Sequence, residues 1–193
     1  MQRIADFIAG MDDKAKRRAW QRHLDALPQD AMQGWSDLLS ALPDDAWHAL
    51  KASTLGQINQ YDPMRAWPQA QDRFNEARAF RYLQMIGCTE IAFTSTSMAT
   101  RGPDLIANHA DRKITCEVKT VHLQAGSMHV VRKLTSRLQD AKAQASIIDA
   151  DEAYVFLIAT GADMAVIRAA IDTSALLPCR LVVDCNGMIE TFS

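Results

Sequence analysis

No apolar run among the 193 residues approaches the roughly 18 needed to cross a bilayer, which excludes a membrane-spanning helix on sequence grounds. No low-complexity tract interrupts a composition that is 48% hydrophobic and 23% charged, the balance of a soluble globular chain. Cysteine is scarce, and the four residues, at 88, 116, 179 and 185, show no C-x-x-C spacing. They read as small buried hydrophobes in a reducing compartment, not as zinc ligands or a disulfide framework, and the cytoplasm is the expected location. The opening stretch MQRIADFIAGMDDKAKRRAW lacks the apolar core and cleavage site of a signal peptide. No G-x-x-x-x-G-K-[ST] is present, so the chain does not power its own translocation by nucleotide hydrolysis. Excess charge is slight too: a net −2 says nothing about a partner, because a global balance can hide a local patch.

What is there divides into two styles. Residues 1–67 read as an N-terminal helical module, with apolar residues at helical spacing (Ile4, Phe7, Ile8; Trp20, Leu24, Leu27) and no β-branched runs. Within it, ALPQDAMQGWSDLL and ALPDDAWHALKAST echo each other, each with proline near a helix start and acids in the first turn. Two short helices packed as a hairpin are expected there. Pro63 and Pro68 mark the boundary. From 68 to 193 the order changes to helix (69–86), strands at 89–97, 104–108 and 113–121, a helix at 129–149, the apolar strand AYVFLIAT, a short helix, and RLVVDC turned by Asn186-Gly187 into MIETF. That pattern predicts an α/β fold with helices against a sheet.

The stretch GPDLIANHADRKITCEVKTV places acids and a lysine inside strand-like sequence, where unpaired charge is costly. Side chains alternate along a strand, so Glu117 and Lys119 share a face with Thr115, while Cys116, Val118 and Thr120 point to the other. The apolar core face is then complete without the polar pair, which reads as a separate feature. Asp104 begins the preceding strand, and if the strands are neighbours its carboxylate can approach that of Glu117. Two carboxylates brought close repel unless a cation sits between them. Mg²⁺ suits such a place, since it takes oxygen ligands, needs one or two carboxylates, and fills its other positions with water and phosphate oxygens. Lys119 beside it can contact the attacking water or developing charge on phosphorus. Glu76 lies on one helical stripe with Phe80 and Leu83, and if that stripe faces the sheet it can reach the same ion, directly or through water. Between residues 101 and 144, eight Lys/Arg stand against four acids, a positive concentration suited to phosphate.

Glu on a first helix, Pro103-Asp104, Glu117-Val118-Lys119 on the next strand, then a helix with Lys and Gln resembles the PD-(D/E)XK nuclease superfamily, over about residues 69–160. The resemblance implies a restriction-endonuclease-like mixed β-sheet flanked by helices. It implies Asp104 and Glu117 as metal ligands with the Val118 carbonyl as a third, Lys119 as catalytic lysine, Glu76 as the first-helix acid, and Gln144 or Lys142 as the second-helix polar position. Arg132, Lys133, Lys142 and Gln144 are the candidate phosphate contacts. The implied activity is hydrolysis of a DNA phosphodiester by metal-activated water, leaving a 5′-phosphate, with Mg²⁺ as cofactor and Mn²⁺ able to substitute. RNA cleavage of the toxin type, or a non-catalytic binding module of the same fold, are the alternatives. A homodimer is the expected assembly, since cutting both strands of a duplex takes two sites. Asp12-Asp13-Lys14 and Asp140-Ala141-Lys142 also match D-x-K, but on helices, where i and i+2 diverge. His109, His122 and His129 show no zinc or HNH spacing, KAKRR reads as a solvated helix face, and the four tryptophans read as helical core.

Overall fold

The computed structural model describes residues 1–60, 63–94, 102–123, 127–145, 147–161, 163–171 and 179–192, with the side chains of 63–65, 127–131, 133, 142 and 145 outside the description. The chain divides into two compact units, Met1–Arg81 and Tyr82–Ser193.

The first unit is all helical: α1 Gln2–Ala9, α2 Lys14–Asp25, α3 Gln29–Ser40, α4 Asp44–Ile58 and most of α5, Pro63–Met85. Asp13 starts α2 by accepting from the Ala15 amide at 2.6 Å. Pro28 and Pro43 stand at the N-caps of α3 and α4, where a proline breaks no helical bond. The two echoing helices do not form the expected hairpin, because α3 packs chiefly on α1. Arg3 of α1 explains the preference: its guanidinium donates to the Leu39 and Leu42 carbonyls at 2.5 and 2.8 Å, satisfying the end of α3, and pairs with Asp44 at 2.7 Å. At the centre Phe7, Trp20 and Phe74 meet edge to face, with Trp20 also against Trp67 at 4.5 Å. Helix α5 begins at Pro63, not at 69, and carries Pro68 inside it. Near the N-terminus a proline forfeits one hydrogen bond without stopping the helix.

Helix α5 ends in the second unit. Gly87, at φ 85°, lets the Gly87 and Cys88 amides turn back onto the Gln84 and Leu83 carbonyls at 3.0 and 2.9 Å. A six-stranded mixed sheet follows in sequence order: β1 Thr89–Phe93, β2 Leu105–His109, β3 Arg112–His122, β4 Glu152–Thr160, β5 Arg180–Cys185 and β6 Met188–Phe192. β1, β2 and β3 are antiparallel neighbours, β3, β4 and β5 are parallel, and β6 is antiparallel to β5. The tail of the strand expected over 89–97 lies outside the described residues. Helices α6 (Ser127–Ala145) and α7 (Met164–Ala170) supply the parallel crossovers. Leu134, Leu138 and Ala141 of α6 and Met164 and Ile167 of α7 pack on Val121, Val155, Leu157, Leu181 and Val183. These sheet residues all share one face. Among the described residues, no helix is long and apolar enough to cross a membrane, and all four cysteines are buried.

Candidate active site

The turn at Ala110-Asp111, with Ala110 at φ 53°, sets the register between β2 and β3, ending the ladder at Leu105 opposite Cys116. One step further in the same register puts Asp104 opposite Glu117, and opposed residues share a face. Because β2 has ended, the Val118 amide has no strand carbonyl to meet on that side. Asp104 Oδ2 takes that bond at 2.8 Å. Its own carbonyl is held by the Thr94 amide at 2.9 Å, and the Thr94 hydroxyl donates to the Pro103 carbonyl. The carboxylate is therefore fixed from both neighbouring strands. A residue's N–H and C=O leave a strand toward the same edge, so the Val118 carbonyl also projects to the side where β2 has ended.

Glu117 is 2% exposed, with Val155 opposite it on β4. Lys119 Nζ donates to Glu117 Oε1 at 2.5 Å and to Gln144 Oε1, near the end of α6, at 2.6 Å. The other oxygen, Glu117 Oε2, is buried and finds no hydrogen-bond donor. The carboxyl is pushed up to about 8, first by burial and then by the negative charge of Asp104, against the pull of Lys119. Burial and the neighbouring Asp104 charge together favour the protonated form of Glu117 in spite of the Lys119 ammonium.

One sequence expectation needs correction. The face carrying Glu117 and Lys119 is not separate from the apolar core. It is continuous with Val121 and the cluster under α6, so the charged groups sit at the edge of a core and not on an open surface. Of the expected site residues, Asp104, Glu117, Lys119 and Gln144 come together. Glu76 lies in the first unit, where its carboxylate is buried and paired with Arg73 at 2.6 Å. Arg132 is exposed on α6. Twelve residues separate it from Gln144, about 18 Å along a helix, so the two cannot touch one phosphate. The side chains of Lys133 and Lys142 are outside the described residues. The clamp by Thr94 carried no sequence signal beyond a Ser/Thr-rich strand end.

Among the described residues, no group of three or more His, Cys, Asp or Glu side chains converges on a point. The donor set fits a hard divalent ion nonetheless: two carboxylates, one with an unsatisfied buried oxygen, and a backbone carbonyl beside them. Such an ion needs no more than one or two carboxylates when water and substrate oxygens complete its shell. No family model, curated protein or solved structure matches the chain.

Proposed function

We propose that the second unit is a divalent-cation-dependent phosphodiesterase of the PD-(D/E)XK kind, acting on DNA. The observation that carries this reading is the meeting of Asp104, Glu117 and Lys119 around one partly desolvated point, with Glu117 Oε2 lacking a donor. The mixed sheet with Asp104 just before β2, Glu117-Val118-Lys119 on β3 and Gln144 on the following helix supports the resemblance. Asp104 and Glu117, with the Val118 carbonyl, would hold Mg²⁺ or Mn²⁺. When bound, such an ion lowers the pKa of water and offsets charge on phosphate oxygens.

The chain's own residues do the positioning. The Val118 amide holds the Asp104 carboxylate in place, which removes one rotor from the site. Gln144 keeps the Lys119 ammonium from swinging outward, leaving its third proton for the attacking water or for negative charge growing on the phosphate. Water oxygen bonds to phosphorus and gives up one proton to solvent, the phosphorus–O3′ bond breaks, and the 3′ oxygen takes up a proton from solvent, leaving a 5′-phosphate and a 3′-hydroxyl. Glu117 contributes its charge only after losing its proton, so cleavage rises with pH toward about 8 at limiting metal.

A non-catalytic reading has one observation in its favour. Lys119 at 2.5 Å is already a counter-ion for Glu117, and a permanent internal pair needs no metal. Incubation with duplex DNA, branched DNA and tRNA in Mg²⁺, against an EDTA control, separates the readings. EDTA-sensitive cleavage of DNA that disappears in Lys119→Ala is the expected result. Cleavage of tRNA alone would move the substrate to RNA. No cleavage, with no rise in melting temperature on adding Mg²⁺, would overturn the proposal.

A further inference from the structure

The basic run on α2 does two different jobs. Over Lys14–Asp25 there are five Lys/Arg and one acid, in a chain whose net charge is −2. Two of the five are consumed inside the unit: buried Lys16 donates to the Asn59 carbonyl at 2.9 Å, and Arg17 donates to the Met11 carbonyl at 2.8 Å. Lys14, Arg18 and Arg22 remain, at i, i+4 and i+8, all exposed on one side of the helix. Arg18 and Arg22 line a shallow concavity with Ala15 and Gln21.

No ion pair among the described residues involves these three cations. Of the acids nearest in sequence, Asp13 accepts from the Ala15 amide, Asp25 accepts from Gln21 at 2.7 Å, and exposed Asp12 pairs with none of the three. A stripe of positive charge rising about 6 Å per step, without acidic partners, is complementary to a polyanion with regularly spaced charge. Beside it, exposed His23 lies flat on half-buried Trp67, with centroids 4.8 Å apart and planes 20° from parallel. An exposed ring face next to a row of cations is the combination that holds unpaired bases and their backbone.

We propose that Lys14, Arg18 and Arg22, with the His23–Trp67 ring pair, form a binding surface for a single-stranded nucleic-acid segment. The choice of a nucleic acid over other polyanions rests on the phosphodiesterase reading of the second unit. The surface itself is defined without that reading.

The test is binding of fluorescein-labelled oligo(dT) to the full chain in EDTA, where no metal-dependent cleavage interferes, at salt from 50 to 200 mM. Removing two phosphate contacts with Arg18→Ala/Arg22→Ala should shrink the slope of log K against log salt by about 1.4, or about 25-fold weaker binding at 0.1 M salt. His23→Ala should weaken binding at least about fivefold with the salt slope unchanged, because stacking releases no counterions. All three side chains are exposed, so melting temperature should hold in both variants, confirming that the fold is intact. Unchanged oligo(dT) binding in the double variant would overturn the surface, as would binding only to phosphatidylserine vesicles or equal loss of duplex and single-strand binding in His23→Ala. Such an outcome with DNA cleavage intact sinks this surface alone. Retained binding without any cleavage sinks the phosphodiesterase reading and leaves the surface standing.

Discussion

Replacing Glu117 by glutamine should make the metal-free protein more stable at alkaline pH. The carboxyl sits at about 8 in the folded protein against an ordinary 4.5. Between those values the folded chain holds a proton that the unfolded chain has lost, so stability falls as pH rises. Each pH unit in that window costs up to about 1.36 kcal/mol, which sums to a few kcal/mol, on the order of 4, once pH passes 8. Burial is the larger cause and the Asp104 charge the second, with Lys119 returning part of the cost. Glutamine has nearly the same shape, stays neutral at every pH, and can still accept from Lys119. The variant should match wild type near pH 5 and exceed it by a few kcal/mol at pH 8.5. Urea unfolding in EDTA from pH 5 to 9 measures this. It should be followed by far-ultraviolet circular dichroism, because all four tryptophans lie in the first unit. Wild-type stability that is flat or rises over that range, or a variant less stable at pH 8.5, would refute the reasoning.

Four further substitutions have expected outcomes. Lys119→Ala should abolish cleavage and steepen the fall of stability above pH 7, since Glu117 loses its only described ion-pair partner; retained cleavage in the purified variant would remove Lys119 from the site. Asp104→Asn should shrink the pH dependence without erasing it, because the amide oxygen can keep the Val118 bond while burial of Glu117 persists; an unchanged pH profile would show that the two acids do not interact. Gly161→Ala should cost more than about 2 kcal/mol in urea unfolding, since φ is 82° and a Cβ would meet the Leu123 carbonyl oxygen at 2.1 Å. Gly34→Ala, in an exposed helix with open space, should instead stabilise by about 0.5–1 kcal/mol.

The second unit was the more legible half. Asn186-Gly187 between RLVVDC and MIETF gives β5 and β6 their bounds, because both residues accept positive φ. Asp104 could be brought near Glu117 only if their strands were neighbours, and the two-residue turn after His109 meets that condition and fixes the register. Which face was core did not follow from alternation. β3 is covered by apolar neighbours on both sides, so the odd residues looked polar only around 117–119. Gln144 came from family resemblance alone, because a polar residue on an amphipathic helix carries no sign of what it touches. In the first unit Pro68 was read as punctuation, and a helix already started at Pro63 passed through it. The run KAKRR showed its charge but not its division of labour. Only the carbonyls of Asn59 and Met11, brought close by the fold, separate the structural cations from the exposed ones.

Asp104 and Glu117 are proposed to form one cation site whose proton must leave before an ion enters. Titration calorimetry of Mn²⁺ into EDTA-stripped protein at pH 7, repeated in buffers of different ionisation enthalpy, counts the protons released on binding. One saturable site is predicted, with about 0.9 proton released per ion from a carboxyl near 8, and both signals lost in Glu117→Gln. Absence of binding, or binding to wild type with no proton released, would contradict the account.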